Sequence, residues 1–254
     1  MENKMTNSDV KKIIDFIQDY FQKNSWAKGV VIGMSGGKDS LVVAKLCVEA
    51  LGKDRVLGVI MPNGHMTDLS DAIDSCKLLG IDYNIVDISK SYNEILSSAK
   101  TVLDDKHIPL NSVTSINIAP RVRTATLYAI GASMDYLVAN TSNLSEAMVG
   151  YTTKWGDNVG DFGVIANFTK SEVCKIGLLL GLPEKLVYKV PSDGLSGKSD
   201  EEKLGFSYKN LDEFIRQGKL SSDHDKILRM HKNSEHKRIG VVKYSNNLPN
   251  HFEN

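Results

Sequence analysis

The sequence predicts an α/β fold: one domain, built as a doubly wound parallel sheet with helices on its two faces. Three observations carry that prediction. Short runs rich in β-branched residues recur at 30–32, 55–61, 83–88 and 136–139, each of strand length. Stretches with apolar residues at helical spacing lie between them, and strand alternating with helix argues for a parallel sheet. Each strand run also ends in glycine, proline or polar residues, so loops gather at the carboxyl edge, where such sheets bind ligands.

In chain order, Ser8 is placed to cap a first helix carrying Ile13, Ile14, Phe16, Ile17, Tyr20 and Phe21. Asn24 to Lys28 breaks it before the first strand, Val30-Val31-Ile32. A helix over 41–48 ends at Gly52, and the strand over 55–61 ends at Pro62-Asn63-Gly64. Residues 67–79 read as a helix closed by Gly80, and 83–88 as a weaker strand interrupted by Asn84 and Asp87. A helix over 91–103, a loop through His107-Ile108-Pro109 and a helix opening at Pro120 lead to the fourth strand, 136–139. Thr169 and Glu172 form a capping box for a helix through Leu180. Residues 191–200 read as a mobile loop or plain linker, and helices over 211–216 and 226–231 follow.

The composition bounds the function classes. With 41% hydrophobic and 24% charged residues, the chain belongs with ordinary soluble globular proteins. Lys+Arg and Asp+Glu both number 31, so no global field recruits nucleic acid or an anionic membrane. No run approaches the ~18 apolar residues of a membrane span and the first residues lack a signal core, so the expected location is cytoplasmic. Cys47, Cys76 and Cys174 stand alone in apolar contexts and read as core residues, not as a disulfide or zinc framework.

The most informative stretch is Gly33-Met34-Ser35-Gly36-Gly37-Lys38-Asp39-Ser40, between a strand and a helix. Glycines let backbone N–H groups approach an anion, and the helix N-terminus adds its positive dipole end. Only three residues separate Gly33 from Gly37, and Asp39 stands where a Walker A loop has its hydroxyl, so this is another kind of phosphate loop. Ser-Gly-Gly-x-Asp-Ser resembles the pyrophosphate loop of the ATP pyrophosphatases, which adenylate a substrate and release pyrophosphate.

Around that loop, residue chemistry suggests the rest of a site. Asp39 invites magnesium, a hard cation that bridges phosphates, with Glu146 beyond the fourth strand as second carboxylate. From position alone Glu146 reads more readily as an ordinary exposed helix glutamate, and Lys38 as a phosphate contact or a solvated lysine. Arg121 and Arg123, expected in the first turn of a helix where cations oppose the dipole, hint at a bound anion. Lys154, Trp155, Asp157 and Asp161 share one irregular loop able to grip a polar ligand. His236 and Lys237 make a basic spot that otherwise reads as a solvated tail.

Seven segments in order extend the resemblance to ammonia-dependent NAD synthetases, a family within the ATP pyrophosphatases. They are Gly33 to Ser40, Asn117-Ile-Ala-Pro-Arg-Val-Arg123, Ser145-Glu-Ala-Met-Val-Gly-Tyr-Thr-Thr-Lys-Trp-Gly-Asp157, Thr169-Lys170, Lys189-Val-Pro-Ser-Asp193, Leu204-Gly-Phe-Ser-Tyr208 and Ser234-Glu-His-Lys-Arg238. The resemblance implies a mainly five-stranded, Rossmann-like sheet of the adenine nucleotide alpha hydrolase kind. It divides the single domain into an N-terminal helix (1–28), an ATP-pyrophosphatase core (29–190) and a mobile loop with C-terminal helices (191–254). It implies that Gly33, Met34, Ser35, Gly36, Gly37, Lys38, Asp39 and Ser40 hold ATP, with Thr141, Lys170 and Ser192. Asp39 and Glu146 would bind magnesium, and Arg121, Lys154, Asp161, His236 and Lys237 would bind deamido-NAD across a homodimer interface.

The implied reaction activates the nicotinate carboxylate. Its oxygen attacks the α-phosphorus of ATP, pyrophosphate leaves, and ammonia displaces AMP from the acyl-adenylate to give NAD. Lys170 would neutralise phosphate charge, Asp157 would serve as base for ammonium, and a loop over 192–206 would exclude water. The chain leaves no room for a glutamine-hydrolysing domain, so free ammonia is the expected donor. The chain departs from the family pattern in places. Ser142-Asn143 replaces Asp-His after Thr141, Pro120 replaces Ala before Arg121, and Lys38 occupies a variable position. Balanced charge and unpaired cysteines disfavour a tRNA-modifying relative, and retention of Asp39, Glu146 and Lys170 disfavours a non-catalytic nucleotide sensor.

Overall fold

The computed structural model describes residues 5–189 and 199–244. In chain order the elements are α1 (Asn7–Lys23), β1 (Gly29–Gly33), α2 (Lys38–Leu51), β2 (Val56–Ile60), α3 (Leu69–Leu79), β3 (Asp82–Ile85), α4 (Ser89–Asp105), α5 (Ser112–Met134) and β4 (Tyr136–Val138). Then follow α6 (Leu144–Val149), α7 (Lys170–Leu179), α8 (Glu184–Val187), α9 (Asp200–Leu204), α10 (Tyr208–Gln217) and α11 (His224–Asn233). None of the described helices is long and apolar enough to cross a membrane.

Every strand pairing is parallel, in the order β3-β2-β1-β4. Side-chain alternation along β1 decides which face each residue serves. Val30 and Ile32 point into one core with α1, α2, α3 and α7, while Val31 joins Val59, Val138, Ile118 and Val122 in the other. The sheet is therefore covered on both faces, as a doubly wound fold requires. Cys47, Cys76 and Cys174 are buried free thiols, and burial raises Cys47 to about 12 and Cys76 to about 11. A third apolar cluster, Val149, Leu204, Phe206, Tyr208, Leu211 and Ile227, packs α9, α10 and α11 against α6.

Four expectations need correction. The described sheet has four strands, not five; beyond β4 a single parallel bridge, Ala139 with Phe162, stands where another strand would run. Residues 158–163 are too rich in glycine and polar side chains to bury a continuous strand face. The cap of α1 is Thr6, which forms a capping box with Asp9, so Ser8 is already inside the helix. Pro120 does not open a helix. It lies within the 23-residue α5, capped by Asn111, whose side chain accepts from the Val113 amide at 2.8 Å. Proline deletes one backbone bond there, and packing of Ile118, Ala119 and Val122 carries the helix through it. Arg121 and Arg123 thus sit mid-helix, and the dipole argument for an anion beside them falls.

Because β1 pairs with β2 on one side and β4 on the other, the order in which strands are added to the sheet reverses at β1. Both β1 and β4 end at the same edge, which makes a topological switch point. The glycine loop leaves β1 there, and residues 139–143 leave β4 beside it.

Candidate active site

The glycine loop is held open by its own hydroxyls. Ser40 Oγ donates to the Gly37 carbonyl at 3.0 Å, lies 3.2 Å from Ser35 Oγ, and the Gly37 amide donates to Ser35 Oγ at 3.2 Å. Gly36 has φ +79°, and a Cβ on it would meet the Asp68 carbonyl oxygen at 2.6 Å, so only glycine fits. Gly37 caps α2 without any side-chain hydrogen bond. The first amides of α2 are therefore available to an anion, with no side-chain cap competing for them. Met34 is buried beneath the turn, and Lys38 is half-buried at the first helical position.

Four elements converge on one cation. Lys170, first residue of α7 and 4% exposed, places Nζ 2.6 Å from Glu146 Oε1 of α6 and 3.6 Å from Asp39 Oδ2 of α2. Asp200 Oδ2 of α9 also lies 3.6 Å from Nζ, and the ring of Tyr208 lies 4.4 Å away. Burial pulls the Lys170 ammonium down, but Glu146 and Asp39 outweigh it and hold its pKa well above the ordinary lysine value. Burial raises Glu146 to about 7, with Asp39 adding to the effect and Lys170 opposing it.

Buried polar bonds set these positions. Thr169 and Glu172 complete the expected capping box of α7. Asp212, buried on α10, accepts from Ser145 Oγ at 2.5 Å and from the Ser171 amide at 2.9 Å. Ser145 Oγ in turn accepts the Lys170 amide at 2.9 Å. The start of α7 and the residue before Glu146 are thus tied to one carboxylate.

A divalent cation fits this donor set. Asp39 Oδ1 is fully buried and has no hydrogen-bond partner among the described residues. Such an orphaned lone pair beside a phosphate loop suits a hard cation. No group of three or more His, Cys, Asp or Glu among the described residues is arranged to hold a metal alone. Asp39 and Glu146 would therefore share the ion with phosphate oxygens and water, as magnesium ordinarily does.

The irregular loop of residues 150–161 is fastened to the β4 edge. Ser142 Oγ donates to the Asp157 carbonyl at 2.8 Å, and Asn140 Nδ2 donates to the Asp157 and Val159 carbonyls at 3.1 Å. Asn143 caps α6, accepting the Glu146 amide at 3.0 Å. Thr141 is half-buried between them. The Asp157 carboxylate accepts the Thr153 amide at 2.6 Å; burial raises its pKa, against the pull of that amide, Lys237 and Arg123. Lys237 donates to the Gly150 and Thr152 carbonyls at 2.7 Å.

Other expected contacts are more scattered. Arg121 is exposed and donates to the Lys154 carbonyl at 3.2 Å, while Lys154 lies over the Trp155 ring at 5.5 Å. Arg123 donates to the Met61 carbonyl at 2.9 Å and serves the end of β2. Asp161 is committed to β4, its Oδ2 accepting the Val138 amide at 2.7 Å. His236 is exposed in a short turn, Glu235–Lys237. Ser192 and the first part of the expected 192–206 loop lie outside the described residues. Sequence reading gave no role to Asp200, Tyr208, Asp212 or Ser145, although Ser145 and Tyr208 lie in segments that carry the resemblance. For Asp200 the local signal was the capping box opened by Ser199, which starts a helix inside the supposed loop.

Known proteins resemble this chain throughout. A family model for NAD synthase matches residues 9–246. An NH(3)-dependent NAD(+) synthetase of Thermococcus sibiricus is 42% identical over 207 residues, covering 81% of this chain and 78% of that protein. One from Pyrococcus furiosus is 38% identical over 250 residues, covering 92% and 94%. Among solved structures, an NMN synthetase from Francisella tularensis superposes with a TM-score of 0.84 at 30% identity, covering 96% of this chain and 100% of that one.

Proposed function

The chain belongs to the NAD synthase family, and from that membership we propose how its own residues perform the ATP-dependent amidation of deamido-NAD by ammonia, the last step of NAD biosynthesis. The uncapped amides of α2 and the loop from Gly33 to Ser40 hold the ATP phosphates, with Thr141 and Ser192 as further contacts. Lys170 carries the central charge, because it is a buried ammonium at the mouth of that loop, 2.6 Å from Glu146. That single juxtaposition supports the reading best. Asp39 and Glu146 would hold magnesium, whose chemistry is to neutralise phosphate charge and orient the leaving pyrophosphate.

Arg121, Lys154, Asp161, His236 and Lys237 bind deamido-NAD in this reading. Arg121 is exposed and bonded to the Lys154 carbonyl, and Lys154 is half-buried over Trp155. Asp161 contributes chiefly by fastening its loop to β4, since one of its oxygens is already engaged. The nicotinate carboxylate attacks the α-phosphorus, pyrophosphate leaves, and Lys170 stabilises the negative charge gathering on the departing oxygens. Ammonia then attacks the acyl-adenylate carbonyl and expels AMP. Asp157, whose raised pKa suits proton acceptance, takes the ammonium proton so that a free lone pair is available.

The working unit is a homodimer, with residues 1–254 acting as one functional domain in the cytoplasm. The support is the α4–α5 face. None of the 17 residues of α4 is buried, yet Ile95 and Val102 are apolar, and α5 exposes Val113 and Ile116. A groove of about 470 Å³ between these helices is lined by Ile95, Ile118, Arg121, Val122 and Ala125. An apolar face continuous with Arg121 is what a second copy would cover if the dinucleotide lay across the interface.

The test incubates the protein with ATP, magnesium, deamido-NAD and ammonium and follows NAD and AMP together. One AMP per NAD, with glutamine unable to replace ammonium, is the expected result. AMP without NAD would mean that activation occurs on another acceptor. A parallel reaction uses nicotinate mononucleotide, because one structural neighbour is described as an NMN synthetase. A higher kcat/KM for the mononucleotide would overturn deamido-NAD as the acceptor.

A further inference from the structure

Lys170 is approached from two sides, and only one of them has a role so far. Asp39 and Glu146 reach it from α2 and α6. From the other side come Asp200, first residue of α9, and Tyr208, first residue of α10. Both are buried. Asp200 Oδ1 accepts the Tyr151 hydroxyl at 3.1 Å, and Oδ2 accepts the Tyr208 hydroxyl at 3.5 Å. The Tyr208 amide donates to Glu201 Oε1 at 2.8 Å, which locks α9 to α10. The two side chains therefore form one preset wall against the ammonium.

Resting on the synthetase reading, we propose that Asp200 and Tyr208 are positioning residues that aim the Lys170 ammonium at the reacting phosphates. A lysine head has three donors on a flexible four-carbon stem, so its direction must be imposed from outside. The Tyr208 ring attracts a cation through its quadrupole yet carries no charge for phosphate to repel. Asp200, at 3.6 Å, stands beyond hydrogen-bond range of Nζ, whereas Glu146 stands within it. The wall thus biases the ammonium without capturing it.

The sign of the Asp200 effect separates positioning from packing. A carboxylate beside the phosphate site repels bound ATP, so its removal leaves ground-state affinity unchanged or improved. The freed ammonium then wanders, and turnover falls. A purely structural Asp200 would lose both together.

The experiment uses the full chain. ATP affinity is measured by calorimetry without magnesium, and AMP formation with magnesium, deamido-NAD and ammonium, for wild type, Asp200→Asn, Tyr208→Leu and Tyr208→Phe. Asp200→Asn is expected to bind ATP at least as tightly as wild type while kcat falls roughly ten- to hundredfold. Tyr208→Leu is expected to lose a similar factor, most of which Tyr208→Phe, which keeps the ring face, restores. Parallel loss of affinity and kcat in Asp200→Asn, an Asp200→Asn kcat within about twofold of wild type, or equal losses in both Tyr208 variants overturns the proposal. Wild type that binds ATP but forms no AMP overturns the synthetase reading instead. The binding arm then still decides, since weaker binding by Asp200→Asn rejects positioning and equal or tighter binding supports it.

Discussion

The Lys170 ammonium lies 2.6 Å from Glu146 Oε1, with Asp39 and Asp200 each contributing an oxygen at 3.6 Å. One cation therefore faces three carboxyl groups in a largely buried pocket. Lys170→Met should lower kcat by roughly two to three orders of magnitude. It should also destabilise the fold by about 3–5 kcal/mol, because the carboxylates are left without a counter-charge. Denaturation with and without magnesium checks the second effect: added magnesium should recover part of the loss in the variant and little in wild type.

Glu146 gives a pH dependence whose sign follows from its raised pKa of about 7. A protonated carboxyl binds a cation poorly, so metal–ATP binding must release a proton wherever the free side chain is protonated. Affinity for magnesium–ATP should then rise roughly tenfold between pH 6 and pH 8. Calorimetry in buffers of different ionisation enthalpy should detect proton release near pH 6.5, fading above pH 8. Glu146→Gln should abolish that linkage.

Gly36→Ala tests the loop itself. Its φ of +79° and the 2.6 Å approach to the Asp68 carbonyl leave a Cβ no room. The cost should be about 1–3 kcal/mol in stability, with a raised KM for ATP. Asp68 is also an anchor for Lys189, at 2.6 Å, so the displacement should spread toward residue 189. Hydrogen exchange over α3 and residues 182–189 would report that spread.

Ile116→Glu tests the proposed dimer face. Ile116 is 64% exposed on α5. A buried charge there should weaken self-association by about 2 kcal/mol or more, read as a shift to monomer in light scattering at low concentration. The expected kinetic signature is a higher KM for deamido-NAD with the KM for ATP nearly unchanged. Light scattering that shows an unaltered dimer would remove α5 from the interface.

What was legible in the sequence were the features whose cause is local. β-Branched runs marked the strands, the glycine spacing marked the phosphate turn, and Thr169 with Glu172 marked the start of α7. Pro120 misled because local chemistry argues for a helix start, whereas packing of Ile118 and Val122 carries α5 straight through. Asp200 and Asp212 were invisible for a different reason. An acidic residue normally belongs in water, and nothing in the flanking residues reveals that Tyr151, Ser145 or a helix amide waits to pair with it. The replacement of Asp-His by Ser142-Asn143 becomes intelligible only in three dimensions, where Ser142 pins the Asp157 carbonyl and Asn143 caps α6.

The satellite cluster that joins Val149 to Leu204, Phe206, Tyr208, Leu211 and Ile227 has a consequence during synthesis. All four strands of the described sheet precede it in the chain, so the sheet and its glycine loop are exported from the ribosome first. Asp39 emerges with that loop, Glu146 and Lys170 follow β4, and Asp200, Tyr208 and Asp212 emerge only afterwards. A nascent chain would already display a phosphate-binding turn while the wall that aims the lysine is still in the exit tunnel. In the order of synthesis, the residues proposed to aim Lys170 are thus among the last of the site to be made.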